Sequence, residues 1–211
     1  FLKLHHYPLE YVSIFDLFGT MSFMQMRMII GFITLCAALL CLPMAAAGAP
    51  AQADQVYINA STYVAERFAG EPPAQETLWP SSDLRTQLKN ILGHAPSLRF
   101  KYWGAGGKTV WILDEIGKDR PITAGVTITD NRIEDVQVLV FRESRGWEVQ
   151  YEFFTSQFAN LWLDRDQQLS GKVDNITGAT LSVKAMKRMA KAALLMHRAT
   201  PQAQTTLADA R

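Results

Sequence analysis

Residues 123–141 read Thr123-Ala124-Gly125-Val126-Thr127-Ile128-Thr129-Asp130-Asn131-Arg132-Ile133-Glu134-Asp135-Val136-Gln137-Val138-Leu139-Val140-Phe141. β-Branched residues dominate both halves, and Asp130-Asn131 between them is a dipeptide that tolerates the left-handed backbone of a tight hairpin turn. Thr123–Thr129 and Arg132–Phe141 are therefore two antiparallel strands. Upstream, Leu98–Trp103 alternates apolar and basic residues as a strand does, Gly104–Gly107 is a turn, and Thr109–Ile116 is a further strand. Four sequential strands joined by short turns make an antiparallel sheet.

Helical periodicity flanks this block. Val56–Phe68 reads as a helix with Val56, Ala60, Tyr63, Val64 and Phe68 near one face, ended by Gly70 and Pro72-Pro73. A second helix runs from about Asp83 to Leu92, with Ser82 as cap and Gly93 as stop. After the sheet, the aromatic-rich Gln150–Leu163 reads as helical, and Ser182–His197 is strongly amphipathic. The expectation is an α+β fold, a single domain with helices packed on an antiparallel sheet. The polar tail, residues 200–211, is expected to fray.

Composition sets bounds on function. The chain has 211 residues, 21 Lys and Arg against 20 Asp and Glu, and 48% hydrophobic residues. That is a near-neutral globular chain, too apolar for disorder and without the basic excess that nucleic-acid binding needs. Residues 1–20 read as a stretch ahead of the true start, because Met21, Met24, Met26 and Met28 follow. Residues 21–53 have the layout of a secretory signal: Arg27, the uncharged apolar run Ile29–Leu42, then a tail of small residues ending Ala51-Gln52-Ala53. Cleavage there makes Asp54 the mature N-terminus; the alternative is an uncleaved anchor over Ile29–Ala47, barely long enough to span a bilayer. The reading is therefore periplasmic or otherwise extracytoplasmic, free or tethered. Cleavage would also remove Cys36 and Cys41, and with them any disulfide, iron–sulfur cluster or thioether-linked haem.

Several chemistries fail on spacing. Gly104-Ala105-Gly106-Gly107-Lys108-Thr109 resembles a phosphate loop, but Tyr102 stands where the first glycine is required and a strand follows instead of a helix. His94 and His197 lie far apart with no Cys or His neighbour, so a zinc site is not expected. No Gly-x-Ser-x-Gly elbow is present.

One segment carries chemistry: Asp174-Asn175-Ile176-Thr177-Gly178-Ala179-Thr180-Leu181-Ser182, running into the last helix. Gly178 permits positive φ, Ala179 adds little bulk, and Thr177, Thr180 and Ser182 put three hydroxyls around the first turn. The free N–H groups and positive dipole end there favour a phosphate; the plain alternative is an ordinary helix start capped by Thr180 or Ser182.

These residues resemble the flavinylation motif of the FMN-binding domain family, which includes flavin-carrying components of the sodium-pumping NADH:quinone oxidoreductase and of the Rnf complex, and many small exported flavoproteins. In that family the last Thr of a Ser/Thr-Gly-Ala-Thr run is esterified to the FMN phosphate by a separate periplasmic flavin transferase that uses FAD. The resemblance implies that Thr180 carries FMN as a phosphoester, with Asp174, Thr177, Gly178 and Ala179 recognised beside it and Leu181 and Ser182 completing the motif. It extends to Pro121-Ile122-Thr123, the Val126–Phe141 hairpin, the turn Glu143-Ser144-Arg145-Gly146 and the Phe-rich Phe154–Phe158. The match covers about residues 110–197. It implies an FMN-binding domain over 110–199 and leaves 54–109 as an N-terminal extension.

A tethered flavin needs a flat apolar bed. Trp103, Trp111, Trp147, Phe154 and Trp162 are the candidates, with Trp147 preferred because it follows the Glu143 turn. No catalytic residue and no metal ligand is expected. The function implied is a one-flavin electron carrier or redox-complex subunit, with the transferase and a membrane redox protein as partners. The alternatives are a self-sufficient flavin reductase whose pocket lies in 54–109 and a non-redox binding module. Lys184, Lys187, Arg188 and Lys191 form a basic stripe on the last helix, read either as a solvated face or as a dock for an acidic partner.

Overall fold

A computed structural model describes residues 54–203. The proposed leader and most of the polar tail lie outside the described residues. Among the described residues no helix is long and apolar enough to cross a membrane.

Six strands form one antiparallel sheet: β1 (Gln55–Val56), β2 (Gln75–Leu78), β3 (Phe100–Ala105), β4 (Lys108–Ile116), β5 (Pro121–Thr129) and β6 (Arg132–Phe141), in the order β1-β6-β5-β4-β3-β2. The hairpin read from residues 123–141 forms as expected. Asp130 and Asn131 take φ of 50° and 60°, and Thr129 pairs with Arg132 across a two-residue turn. The helices are α1 (Ala60–Arg67), α2 (Ser82–Leu92), the single turn α3 (Glu152–Thr155) and α4 (Thr180–His197).

The two sheet faces are covered unequally. On one, Trp111, Ile122, Val126 and Ile128 pack with Leu88 of α2 and Met186 of α4 in the main core. Alanines at 185, 190 and 193 bring α4 close to the sheet, and all three are fully buried. On the other face α1 alone contributes a smaller cluster, in which Tyr63 and Val64 meet Val110 and Leu139. The Tyr63 hydroxyl reaches Thr127 Oγ1 (2.9 Å) and donates to Asp135 Oδ2 (3.0 Å), while Arg67 reaches the same carboxylate at 2.7 Å.

Four local readings are corrected. Val56 is not helical: it pairs with Val140 at the sheet edge, and the helix starts four residues later. The cap of α2 is Ser81, whose hydroxyl accepts from the Leu84 N–H at 3.2 Å, not Ser82. The glycine turn is confined to Gly106-Gly107, with Gly104 and Ala105 inside β3. Gln150–Leu163 is not one helix but α3 between the 3-10 turns Trp147–Gln150 and Ser156–Phe158. Extended backbone at Tyr151 and φ of 62° at Asn160 interrupt it, and Asn160 and Leu161 instead bond the backbone of Ile133 on β6 at 2.8 Å each.

The segment 54–109 is not a separate body: it supplies β1, β2 and β3 to the same sheet, and α1 and α2 to its two faces.

Candidate functional site

The β4–β5 loop, residues 117–120, hangs on one side chain. Glu143, 5% exposed, accepts at Oε1 from the backbone N–H groups of Lys118, Asp119 (2.8 Å) and Arg120 (3.1 Å). Three convergent N–H donors satisfy a buried carboxylate without a counter-ion. Next to it Arg142 donates to Asp54 Oδ2 (2.9 Å), to Thr123 Oγ1 (2.8 Å) and to the Pro121 carbonyl (3.2 Å). The end of β6, the start of β5 and the first described residue are thereby tied together.

The chain then turns back onto α4. Gly146 has φ of 87° and packs so closely on Ser182 that a β-carbon there would overlap the Ser182 hydroxyl. Ser182, 4% exposed, is therefore the floor of the turn. The helix it belongs to has no side-chain cap: its N-cap is Ala179, whose carbonyl accepts from the Val183 N–H at 2.9 Å but which has no side-chain oxygen for the earlier N–H groups. Neither Thr180 nor Ser182 is the cap. Gly178 has φ of 85°, and open space lies where its side chain would stand. Asn175 donates from Nδ2 to Thr180 Oγ1 at 3.0 Å.

These elements enclose a cleft of about 580 Å³, lined by Lys118, by Glu143, Ser144 and Arg145, and by Gly178 to Ser182. The expected site residues Gly178, Ala179, Thr180, Leu181, Ser182 and Glu143 meet here, with the Thr180 side chain exposed. Glu143 contributes as the anchor of the Lys118 loop, its Oε1 being engaged by backbone. Three expected residues do not line the cleft. Asp174 is ion-paired with Lys172 at 2.6 Å, which holds its carboxyl below the usual range, and its N–H donates to Gln157. Thr177 is exposed just outside. Trp147 is 44% exposed beyond the Gly146 turn, edge-on to Tyr151 at 5.6 Å. Of the other aromatic candidates, Trp111 and Phe154 are wholly buried, Trp103 packs in the α1 cluster, and Trp162 lies under the Arg132 guanidinium at 4.2 Å.

Sequence reasoning missed Lys118, which sits in an ordinary hairpin loop and gains its position only through Glu143. It also missed the Asn175 contact, although the residue stood inside the quoted motif. The basic stripe is largely engaged within the fold. Lys187 donates to the Val173 carbonyl (2.6 Å), Lys191 to Gln168 (2.9 Å) and Arg188 to Glu115 (3.0 Å) and the Ile116 carbonyl (2.8 Å). Lys184 alone of the four is exposed. No residue of 54–109 lines the cleft. Among the described residues no group of three or more His, Cys, Asp or Glu side chains comes together to hold a metal.

Residues 117–195 match the family model described as FMN-binding domain. No curated protein matches the chain. Residues 117–195 thus form a domain of the FMN-binding family, which supports FMN binding by the chain. The cleft fits that group on its own chemistry. Lys118, whose ammonium also meets Asp119 at 3.3 Å at the surface, Arg145 and the uncapped start of α4 form a cationic donor set suited to a phosphate, and the half-exposed Leu181 offers apolar surface for a ring.

Proposed function

We propose that the chain is an exported flavoprotein that holds FMN by a phosphoester to Thr180 and passes electrons in a periplasmic or membrane-associated redox chain. The observation that carries this reading is the Thr180 hydroxyl, exposed at an uncapped helix start in a cleft that also presents Lys118 and Arg145. A phosphodiester keeps one negative charge, which the two cations and the helix dipole stabilise. Bound there, the flavin supplies the redox chemistry; the chain orients it and keeps it from being lost outside the cytoplasm. Trp147 supports the ring at the cleft rim, and Asp174 and Thr177 are read by the flavin transferase on the outer side of the motif. A membrane redox protein is the electron partner.

The test is intact mass. Exported protein co-expressed with a flavin transferase is denatured and weighed; the expected gain is that of FMN less one water, absent in Thr180→Ala. Unmodified wild-type protein beside a transferase active on another substrate refutes the reading.

A further inference from the structure

We infer that Asn175 is a positioning residue for the Thr180 hydroxyl, an inference that rests on Thr180 being the FMN acceptor. The Asn175 amide donates to Thr180 Oγ1 at 3.0 Å, and both side chains are exposed. Neither belongs to the hydrophobic core. The loop between them is already closed by backbone, through the Ala179 N–H on the Ile176 carbonyl at 3.0 Å and the positive φ of Gly178. The amide contact is therefore not what shapes the turn; it acts on the one oxygen that has to react.

Its chemical effect follows from direction. A helical threonine divides between two χ1 rotamers. A donor fixed on one lone pair of Oγ1 selects one of them and leaves the other lone pair and the O–H free. In the transfer, Thr180 Oγ1 forms a bond to the FMN phosphorus of FAD. The bond from that phosphorus to the bridging oxygen breaks, AMP leaves with the electron pair, and the hydroxyl proton passes to a base on the transferase. No electron is gained or lost. As the proton departs, charge grows on Oγ1, and the amide N–H stands where it stabilises that charge. Aspartate has the same shape but brings an acceptor and a negative charge next to the incoming phosphoryl group.

The test compares wild type, Asn175→Ala and Asn175→Asp as substrates of a flavin transferase with FAD, following intact mass against time over a range of acceptor concentration. Both variants should lose about tenfold in kcat, the worth of one hydrogen bond to a charged centre, with KM within about twofold of wild type, since the recognition surface is intact. A wild-type kcat in either variant overturns the inference, as does a rise in KM alone, which marks Asn175 as a recognition contact. A second measurement needs no transferase. Three-bond couplings about the Thr180 Cα–Cβ bond should report one rotamer in the unmodified wild type and averaging in Asn175→Ala, which leaves neither donor nor acceptor there; averaging in the wild type overturns the positioning. If wild-type protein holds one rotamer yet is never flavinylated, it is the proposal for Thr180 that fails.

Discussion

At Gly178 the backbone and the space around it make separate demands. The φ of 85° penalises any side chain, while nothing lies within reach of an added β-carbon. Gly178→Val should therefore cost about 1–2 kcal/mol of stability through the backbone alone. By moving the Thr180 turn, it should depress flavinylation far more than folding. Urea unfolding alongside intact mass separates the two, and normal modification of a folded variant contradicts the claim. This much was legible in the sequence, because a Gly before a small residue and a helix start has few other uses. The fate of Glu143 was not. Its turn could be recognised, but the three N–H groups it satisfies come from residues 118–120, more than twenty positions upstream, and no local pattern announces them. Ser81 and Ser82 show the same limit at a helix end: two adjacent serines are chemically equal as caps, and only the backbone geometry chooses between them.

Among the elements, α1 lies on its face of the sheet through one close approach. The Tyr63 ring sits over Gly125 on β5, where a β-carbon would overlap it. Gly125→Ala should force the ring outward and strain the Tyr63–Thr127–Asp135 contacts, costing about 1–3 kcal/mol. Tyr63→Phe in the same background should recover little, because the clash is with ring carbons. Equal melting temperatures for wild type and Gly125→Ala would show that α1 is not seated as described. The central hairpin and α4 were readable because their periodicities are long and uninterrupted. The edges were not. β2 has four residues of sequence QETL and pairs with β3 only across the intervening helix α2, with no tight turn between them, so neither composition nor turn chemistry marks it. Val56 belongs to the apolar set of a helix by spacing, yet hydrogen bonding along β6 takes it as a strand.

Across the whole molecule two histidines respond to pH in opposite senses. His197 is fully buried against Thr109, with Nδ1 at 2.7 Å from the hydroxyl and Nε2 without a hydrogen-bond partner, and burial pushes it down to about 4. Its folded pKa lies below the unfolded value, so its contribution is complete above about pH 6.5. That contribution is lost as pH falls toward about 4, on the order of 3 kcal/mol in all. His94 is held above the ordinary range by the Ala95 carbonyl and the Glu115 carboxylate, so its smaller, solvent-screened contribution is present at low pH and fades as pH rises through its folded value. The difference in unfolding free energy between wild type and His197→Gln should shift against the wild type as pH falls from about 6.5 to about 4. A difference that stays constant over that window would mean that the imidazole takes up its proton without penalty. The sequence marked both histidines as unsuited to a metal, but nothing in it could show that one ring is sealed in the core and the other paired at the surface.

The clamp at Asp54 has a mechanical consequence. β1 is the shortest of the six strands, with two residues paired to Phe141 and Val140, and its first neighbour is the carboxylate held by Arg142 at 2.9 Å. Tension applied to the polypeptide ahead of Asp54 would load this seam first and pass through the Arg142 guanidinium to its backbone. One peptide bond further on is Glu143, on which the Lys118 loop is hung. A pull on the leading end is thus transmitted to the wall of the cleft as well as to the core, which it enters through the pairing of Gln55 with Phe141.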